Sequence, residues 1–289
     1  MAGSLARDIL GIHFQNPVLL ASGTAGFGRE LAGVMDLERL GGLVTKAVSV
    51  EPRAGNPPPR VAEFAGGMLN SVGLANPGLQ HVLRDELPWL AGNVRAPRVL
   101  VNVVGFTEEE YGTVIEGLES APGISAYEIN LSCPNTSRGG MEFGSDPDSV
   151  TRLVTRCRRM TRRPIFAKLS PSLPDIPAMA QVARDAGADG VSLINTLPGY
   201  LADAAAHPRL GQGNGGVSGP ALLPIGILAT RRVHERMPEL AIIGVGGIRN
   251  AEDARQYLDA GAGLVAIGTA ALADPQLPGR VVRELENYG

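Results

Sequence analysis

Two residue types are scarce enough in this sequence for their positions to carry chemical meaning. Of its 26 basic residues, all but Lys46 and Lys168 are arginine, and each lysine stands inside an apolar run: Leu43-Val44-Thr45-Lys46-Ala47-Val48 and Pro164-Ile165-Phe166-Ala167-Lys168-Leu169. An exposed salt bridge does not explain a charge so placed; a site that requires a compact ammonium instead of a planar guanidinium fork does. The two cysteines are Cys133 and Cys157. Cys133 lies between Asn130-Leu131-Ser132 and Pro134-Asn135, which predicts a strand-to-loop turn carrying a thiol that can act as nucleophile or general base. Acyl transfer needs a partner base and an oxyanion hole, and no histidine is close in sequence, so proton abstraction is favoured. Cys157, inside a helical pattern, reads as a buried structural residue.

These residues need a scaffold, and the sequence supplies a repeating one. Eight short apolar or β-branched runs, each read as followed by turn residues and a helical pattern, occupy Val18 to Ser22, Leu43 to Val48, Arg98 to Val104, Ala126 to Ser132, Pro164 to Ser170, Gly190 to Asn195, Ala241 to Gly246 and Leu264 to Gly268. Continuous apolar runs fit parallel strands covered on both sides. Eight βα units close most simply into an α/β fold, the (β/α)8 TIM barrel, over one domain of residues 1–289. Helices are predicted at Asp148 to Met160, Pro177 to Ala186, Leu222 to Met237 and Ala251 to Ala260, the last capped by Asn250. The connections 49–97 and 197–219 are long for βα loops and read as active-site loops or lids. Leu5 to Phe14 reads as a short N-terminal hairpin closing the bottom of the barrel.

Barrel enzymes work at the C-terminal ends of their strands. Those ends carry Ser22, Lys46, Asn102, Asn130 with Ser132 and Cys133, Lys168 with Ser170, Asn195 with Thr196, Gly246-Gly247 and Gly268-Thr269. The only carboxylate nearby is Glu128, below Asn130, and His13, His81, His207 and His234 all lie elsewhere. This disfavours metal-assisted hydrolysis, a Ser-His-Asp triad and a two-carboxylate glycosidase. The glycine pairs after the seventh and eighth strands are each expected to open a helix and hold a phosphate on backbone N–H groups, with Gly215 to Gly219 closing over it; the alternative is that they are tight turns only. A dinucleotide fingerprint does not fit, because Arg249 stands where its third glycine belongs. Asn70, Asn102, Asn130 and Asn195 serve either as turn residues and caps or, jointly, as a set of amides matching a flat ligand edged with carbonyl and N–H groups, as in a pyrimidine or a flavin.

Composition narrows the partners. The 289 residues are 44% hydrophobic with a formal net charge of −3, which suits a globular protein with a large core and not a nucleic-acid binder. No apolar run approaches the ~18 residues of a membrane span, no membrane partner is expected, and two unpaired cysteines suit a reducing cytoplasm.

The ordered motifs Ala21-Ser22-Gly23-Thr24-Ala25-Gly26-Phe27-Gly28, Thr45-Lys46-Ala47, Gly55-Asn56-Pro57, Asn70-Ser71-Val72-Gly73-Leu74, Glu128-Ile129-Asn130-Leu131-Ser132-Cys133-Pro134-Asn135, Lys168-Leu169-Ser170-Pro171 and Asn195-Thr196 span nearly the whole chain. With them the sequence resembles the flavin-containing dihydroorotate dehydrogenases, specifically their class 1B catalytic subunits. The resemblance implies one FMN per chain and oxidation of (S)-dihydroorotate to orotate in pyrimidine biosynthesis, and it assigns roles by position. FMN would meet Ser22, Lys46, Ala47, Asn102, Asn130, Lys168, Ile194, Gly219, Gly246, Gly247, Gly268 and Thr269. Substrate would meet Lys46, Asn70, Ser71, Val72, Gly73, Leu74, Asn130, Asn195 and Thr196. Cys133 would be the general base, with Lys46 and Lys168 supplying charge, and no metal is expected. A homodimer would form the centre of a heterotetramer, passing electrons to a partner subunit with FAD and a [2Fe–2S] cluster and then to NAD+. The segment Leu197 to Gly213 departs from the usual class 1B loop. Rival readings are a dihydropyrimidine-dehydrogenase-like flavin enzyme, a fumarate-linked dihydroorotate dehydrogenase, a phosphate-binding aldolase using Lys168 as a Schiff base, and a binding protein without turnover.

Overall fold

The computed structural model describes residues 5–131, 134–135 and 141–287. It opens with an antiparallel hairpin, β1 (Arg7–Ile9) and β2 (Ile12–Phe14), as the sequence predicts. Next come β3 (Val18–Leu20), β4 (Gly42–Val44), β5 (Val61–Phe64) and β6 (Gly67–Asn70). A helical stretch comprises α1 (Leu79–His81), a π-helical turn over Val82–Glu86 and α2 (Leu87–Asn93). It leads to β7 (Arg98–Val103), α3 (Glu108–Leu118), β8 (Ile124–Asn130), β9 (Pro134–Asn135), β10 (Met141–Glu142) and α4 (Pro147–Met160). The second half runs β11 (Ile165–Leu169), α5 (Ile176–Asp185), β12 (Gly190–Leu193), β13 (Leu197–Tyr200), β14 (Asn214–Ser218) and α6 (Leu223–Arg236). It ends with β15 (Ala241–Val245), α7 (Ala251–Asp259), β16 (Leu264–Ile267), α8 (Thr269–Ala273) and α9 (Leu277–Glu286).

Eight of these strands, β3, β4, β7, β8, β11, β12, β15 and β16, hydrogen-bond in that order and close on themselves. Each contains or overlaps one of the eight predicted runs, so the (β/α)8 barrel is present. Alternation divides the strands into two sets. Leu19, Val44, Leu100, Ala126, Phe166, Ile243 and Leu264 fill the barrel interior, where Phe14 from β2 joins them. The hairpin therefore seals the floor, with Phe14 fully buried. Val18, Leu43, Val101, Ile129, Ala167, Val191 and Val265 point outward into the larger core beneath the helices.

The long connections are more regular than the sequence suggests. β13, β14, β6 and β5 form a four-stranded antiparallel sheet in that order, drawing on both stretches read as loops. Its residues are rich in glycine and alternate weakly, so the pattern shows little strand character; the partner is about 150 residues away. Helix α3 was also not predicted. It begins at Thr107, whose hydroxyl accepts from the Glu110 amide, with three glutamates in its first turn. One expectation is corrected: Gly246-Gly247 do not open a helix, because α7 starts only at Ala251, behind the Asn250 cap. Gly268 does cap α8 directly.

Candidate active site

The upper interior of the barrel is polar because three neighbouring strands each place one polar side chain in the same line. On β7, β8 and β11, Asn102, Glu128 and Lys168 continue the inward positions of Leu100, Ala126 and Phe166. In register Asn102 pairs with Glu128, Phe166 with Glu128, and Lys168 with Asn130, so Lys168 stands one pleat higher than the carboxylate. The Glu128 Oε1 accepts from Asn102 Nδ2 at 2.7 Å and from Lys168 Nζ at 3.3 Å. The side chain of Glu128 is 1% exposed and that of Lys168 8% exposed. A carboxylate so deeply buried is tolerated only with charge-assisted partners, and these supply them. The oxygen of that amide, Asn102 Oδ1, is buried and has no donor among the described residues.

Above this line lie the amides. The Asn195 Nδ2 donates to Asn130 Oδ1 at 3.4 Å, and the Asn195 Oδ1 accepts from the Thr196 amide at 2.8 Å. Tyr111, fully buried on α3, donates its hydroxyl to the Asn130 carbonyl at 2.6 Å and pins the top of β8. Lys46, half-buried two residues past β4, makes no ion pair among the described residues; its backbone amide donates to the Gly26 carbonyl at 2.7 Å, and Ala47 beside it is buried. The Asn70 to Leu74 segment follows β6 and is held by the Gly55–Asn56 turn: the Asn56 amide donates to Val72 O at 3.1 Å and Asn56 Nδ2 to Ser71 Oγ at 2.7 Å. Gly73 adopts φ +73°, and a Cβ there would sit 2.5 Å from the Asn56 nitrogen, so only glycine allows this approach. Asn70 Nδ2 donates to Gly216 O at 3.2 Å, joining the segment to β14.

The third component is backbone. Thr269, first residue of α8, donates its hydroxyl to Ser218 Oγ at 2.8 Å, which brings Gly219 and Gly268 to one place. Ala21, one residue before Ser22, lies against Gly268, and Ile194 lies against Gly246. Gly247 has φ +76°, and a Cβ there would meet the Leu223 nitrogen at 2.6 Å, so a side chain would close the space between this turn and the start of α6. Beneath, the Tyr257 hydroxyl lies 3.0 Å from Val245 O and 2.8 Å from Gly246 O. Burial, with the Asp253 charge, raises the pKa of that hydroxyl above the ordinary tyrosine value and keeps it a donor. Glycine-containing backbone from three βα connections converges here, a type of surface on which free N–H groups suit an anion.

Ser132 and Cys133 lie outside the described residues. Cys157 faces the outer core, and burial pushes its thiol up to about 12, the range of an inert structural cysteine. Among the described residues no cluster of three or more His, Cys, Asp or Glu could hold a metal. No helix of the described residues is long and apolar enough to cross a membrane. The sequence reading missed the roles of Glu128, Tyr111 and Tyr257. The signal for Glu128 was an acid inside the apolar strand Ile124–Asn130 at an inward position; the tyrosines carried none beyond helical spacing.

A model of the family described as dihydroorotate dehydrogenase matches residues 4–288. The chain is 47% identical over 284 residues to the "Dihydroorotate dehydrogenase B (NAD(+)), catalytic subunit" of Desulforudis audaxviator, covering 98% of this chain and 92% of that protein. It is 45% identical over 282 residues to the protein of the same name from Geobacillus kaustophilus, covering 97% and 89%. It is also 45% identical over 291 residues to a Solibacter usitatus protein provisionally named dihydroorotate dehydrogenase A (fumarate), covering 100% and 94%.

Proposed function

The chain belongs to the dihydroorotate dehydrogenase family, and from that premise we propose that it oxidises dihydroorotate to orotate on a bound FMN, the whole of residues 1–289 acting as one FMN-binding domain. The observation that carries this reading is the buried Asn102 Oδ1, without a donor among the described residues, in a polar line with Lys168 below the Asn130 and Asn195 amides. A flavin's pyrimidine edge offers the N–H that this oxygen lacks. The converging backbone at Gly219, Gly246, Gly247, Gly268 and Thr269 suits the phosphate, so the residues present fit the group. Ser22, Lys46, Ala47, Asn130, Lys168 and Ile194 complete the expected set around it.

When bound, FMN supplies the hydride acceptor that protein side chains lack. The chain's own residues do the rest. Cys133, three residues beyond the end of β8, takes the proton from the carbon next to the ring carbonyl of dihydroorotate as the hydride leaves the adjacent carbon. Asn130 and Asn195 present amide donors and acceptors to the substrate's pyrimidine ring, and Thr196 extends that row. The Asn70 to Leu74 segment, fastened through Asn56, receives the substrate carboxylate, with the Lys46 ammonium as its counter-charge. Lys168 would help hold the bound flavin and would supply positive charge to offset the negative charge of its reduced form.

The electrons then leave through a partner subunit holding FAD and a [2Fe–2S] cluster to NAD+, with a homodimer of this chain at the centre and the assembly in the cytoplasm. The wording of the relatives' names, a catalytic subunit linked to NAD+, supports a separate partner subunit and NAD+ as acceptor; the FAD, the [2Fe–2S] cluster, the homodimer and the cytoplasmic setting rest on the family resemblance. Fumarate as acceptor is the second reading, favoured by the Solibacter relative at 45% identity. The experiment is direct: the purified protein is yellow, and anaerobic dihydroorotate bleaches it while dihydrouracil does not. A colourless protein, or one bleached equally by dihydrouracil, overturns the proposal. Reoxidation by fumarate alone would select the second acceptor.

A further inference from the structure

We propose that Glu128 is a positioning residue for the flavin site: its carboxylate orients the Asn102 amide and holds the Lys168 ammonium, so that both present their polar ends to the ring. This inference rests on the FMN reading above. Glu128 opens the motif Glu128 to Asn135, yet it is not among the residues assigned to ligand contact.

The geometry leaves it little other purpose. An acid at 1% exposure within a barrel carries a large desolvation cost before its partners are counted, and an apolar residue there would continue the packing of Ala126. What the carboxylate does instead is decide an orientation. An amide can present either end, but Glu128 Oε1 accepts at 2.7 Å, so only the Asn102 NH2 group can face it. The Oδ1 is thereby turned away, and it is buried with no donor among the described residues. The same oxygen accepts from Lys168 at 3.3 Å from above, since Lys168 pairs in register with Asn130 and not with Glu128. One carboxylate thus ties β7, β8 and β11 together immediately under the mouth. It also sets a negative charge beside the ammonium, moderating the positive field that the ring feels.

That last point gives a reading a mere core-packing role would not move. In Glu128→Gln the amide oxygen still accepts a hydrogen bond, but the charge is gone, so the uncompensated Lys168 favours the reduced flavin. The expected result is a folded, yellow protein whose two-electron equilibrium shifts about tenfold toward reduction, a rise of about 30 mV in midpoint potential by spectroelectrochemistry. Glu128→Asp keeps the charge but withdraws it by one methylene, and it is expected to weaken FMN binding at least threefold in a titration of the apoprotein with FMN. If Glu128→Gln does not fold, the aspartate variant decides. A parental or lowered potential in folded Glu128→Gln, or a parental FMN affinity in Glu128→Asp, overturns the inference while leaving a yellow, dihydroorotate-reducible parent intact. A parent that binds no FMN overturns both.

Discussion

At the scale of single residues, the two cysteines and two lysines separate cleanly. Cys133→Ala is expected to keep the yellow colour and orotate binding while slowing flavin reduction by roughly 10² to 10⁴, read by anaerobic stopped-flow; parental kinetics would remove Cys133 from the reaction. Cys157, with its thiol pushed up to about 12 by burial, should resist thiol reagents in the folded protein and react only on unfolding. Lys168→Ala is expected to lower the flavin potential, opposite in sign to the Glu128→Gln change, and an unmoved potential would refute its electrostatic role. Lys46 and Lys168 were legible from the sequence because their rarity and apolar surroundings mark them. Glu128 was visible only as an exception, since the ammonium it pairs with lies 40 residues away on another strand and no spacing rule links them.

At the scale of elements, the barrel strands were legible because burial on both faces writes an apolar run into the sequence. The helices with strong amphipathic patterns and caps were legible for a similar reason. Asn250 is such a cap: its side chain accepts from the Asp253 amide at 2.8 Å, while Asp253 accepts from the Arg249 amide at 3.0 Å. Asn250→Ala should therefore cost about 1 kcal/mol, measured by denaturant unfolding, and a loss below a few tenths would show that the cap is dispensable. The sheet of β5, β6, β13 and β14 was not legible. Its strands owe their form to one another across the chain, around a small apolar cluster of Ala62, Leu69 and Leu210, and not to local pattern. The anchoring of the Asn70 to Leu74 segment was hidden for the same reason.

At the scale of the whole molecule, burial of ionisable groups predicts how the protein responds to alkali. The Cys157 thiol moves from an ordinary 9.0 to about 12 in the folded chain. Burial likewise raises Tyr127, aided by its hydrogen bond to Glu119, and burial with the Asp253 charge raises Tyr257. Between the unfolded and folded values the unfolded chain binds fewer protons, so stability is fully present below about pH 9 and falls as pH climbs toward 12. Unfolding midpoints in denaturant should decline over that range, and a flat profile would contradict the burial of these three groups.

The confinement of both lysines to the barrel mouth has a practical corollary. Succinimidyl esters, aldehydes and other amine-coupling reagents have only two side-chain amines to meet, Lys46, half-buried, and Lys168, 8% exposed beside Glu128, and in the proposed function both belong to the flavin site. Immobilising or dye-tagging this protein through lysine would block the chemistry one wishes to watch, and saturating FMN should shield it from such labels.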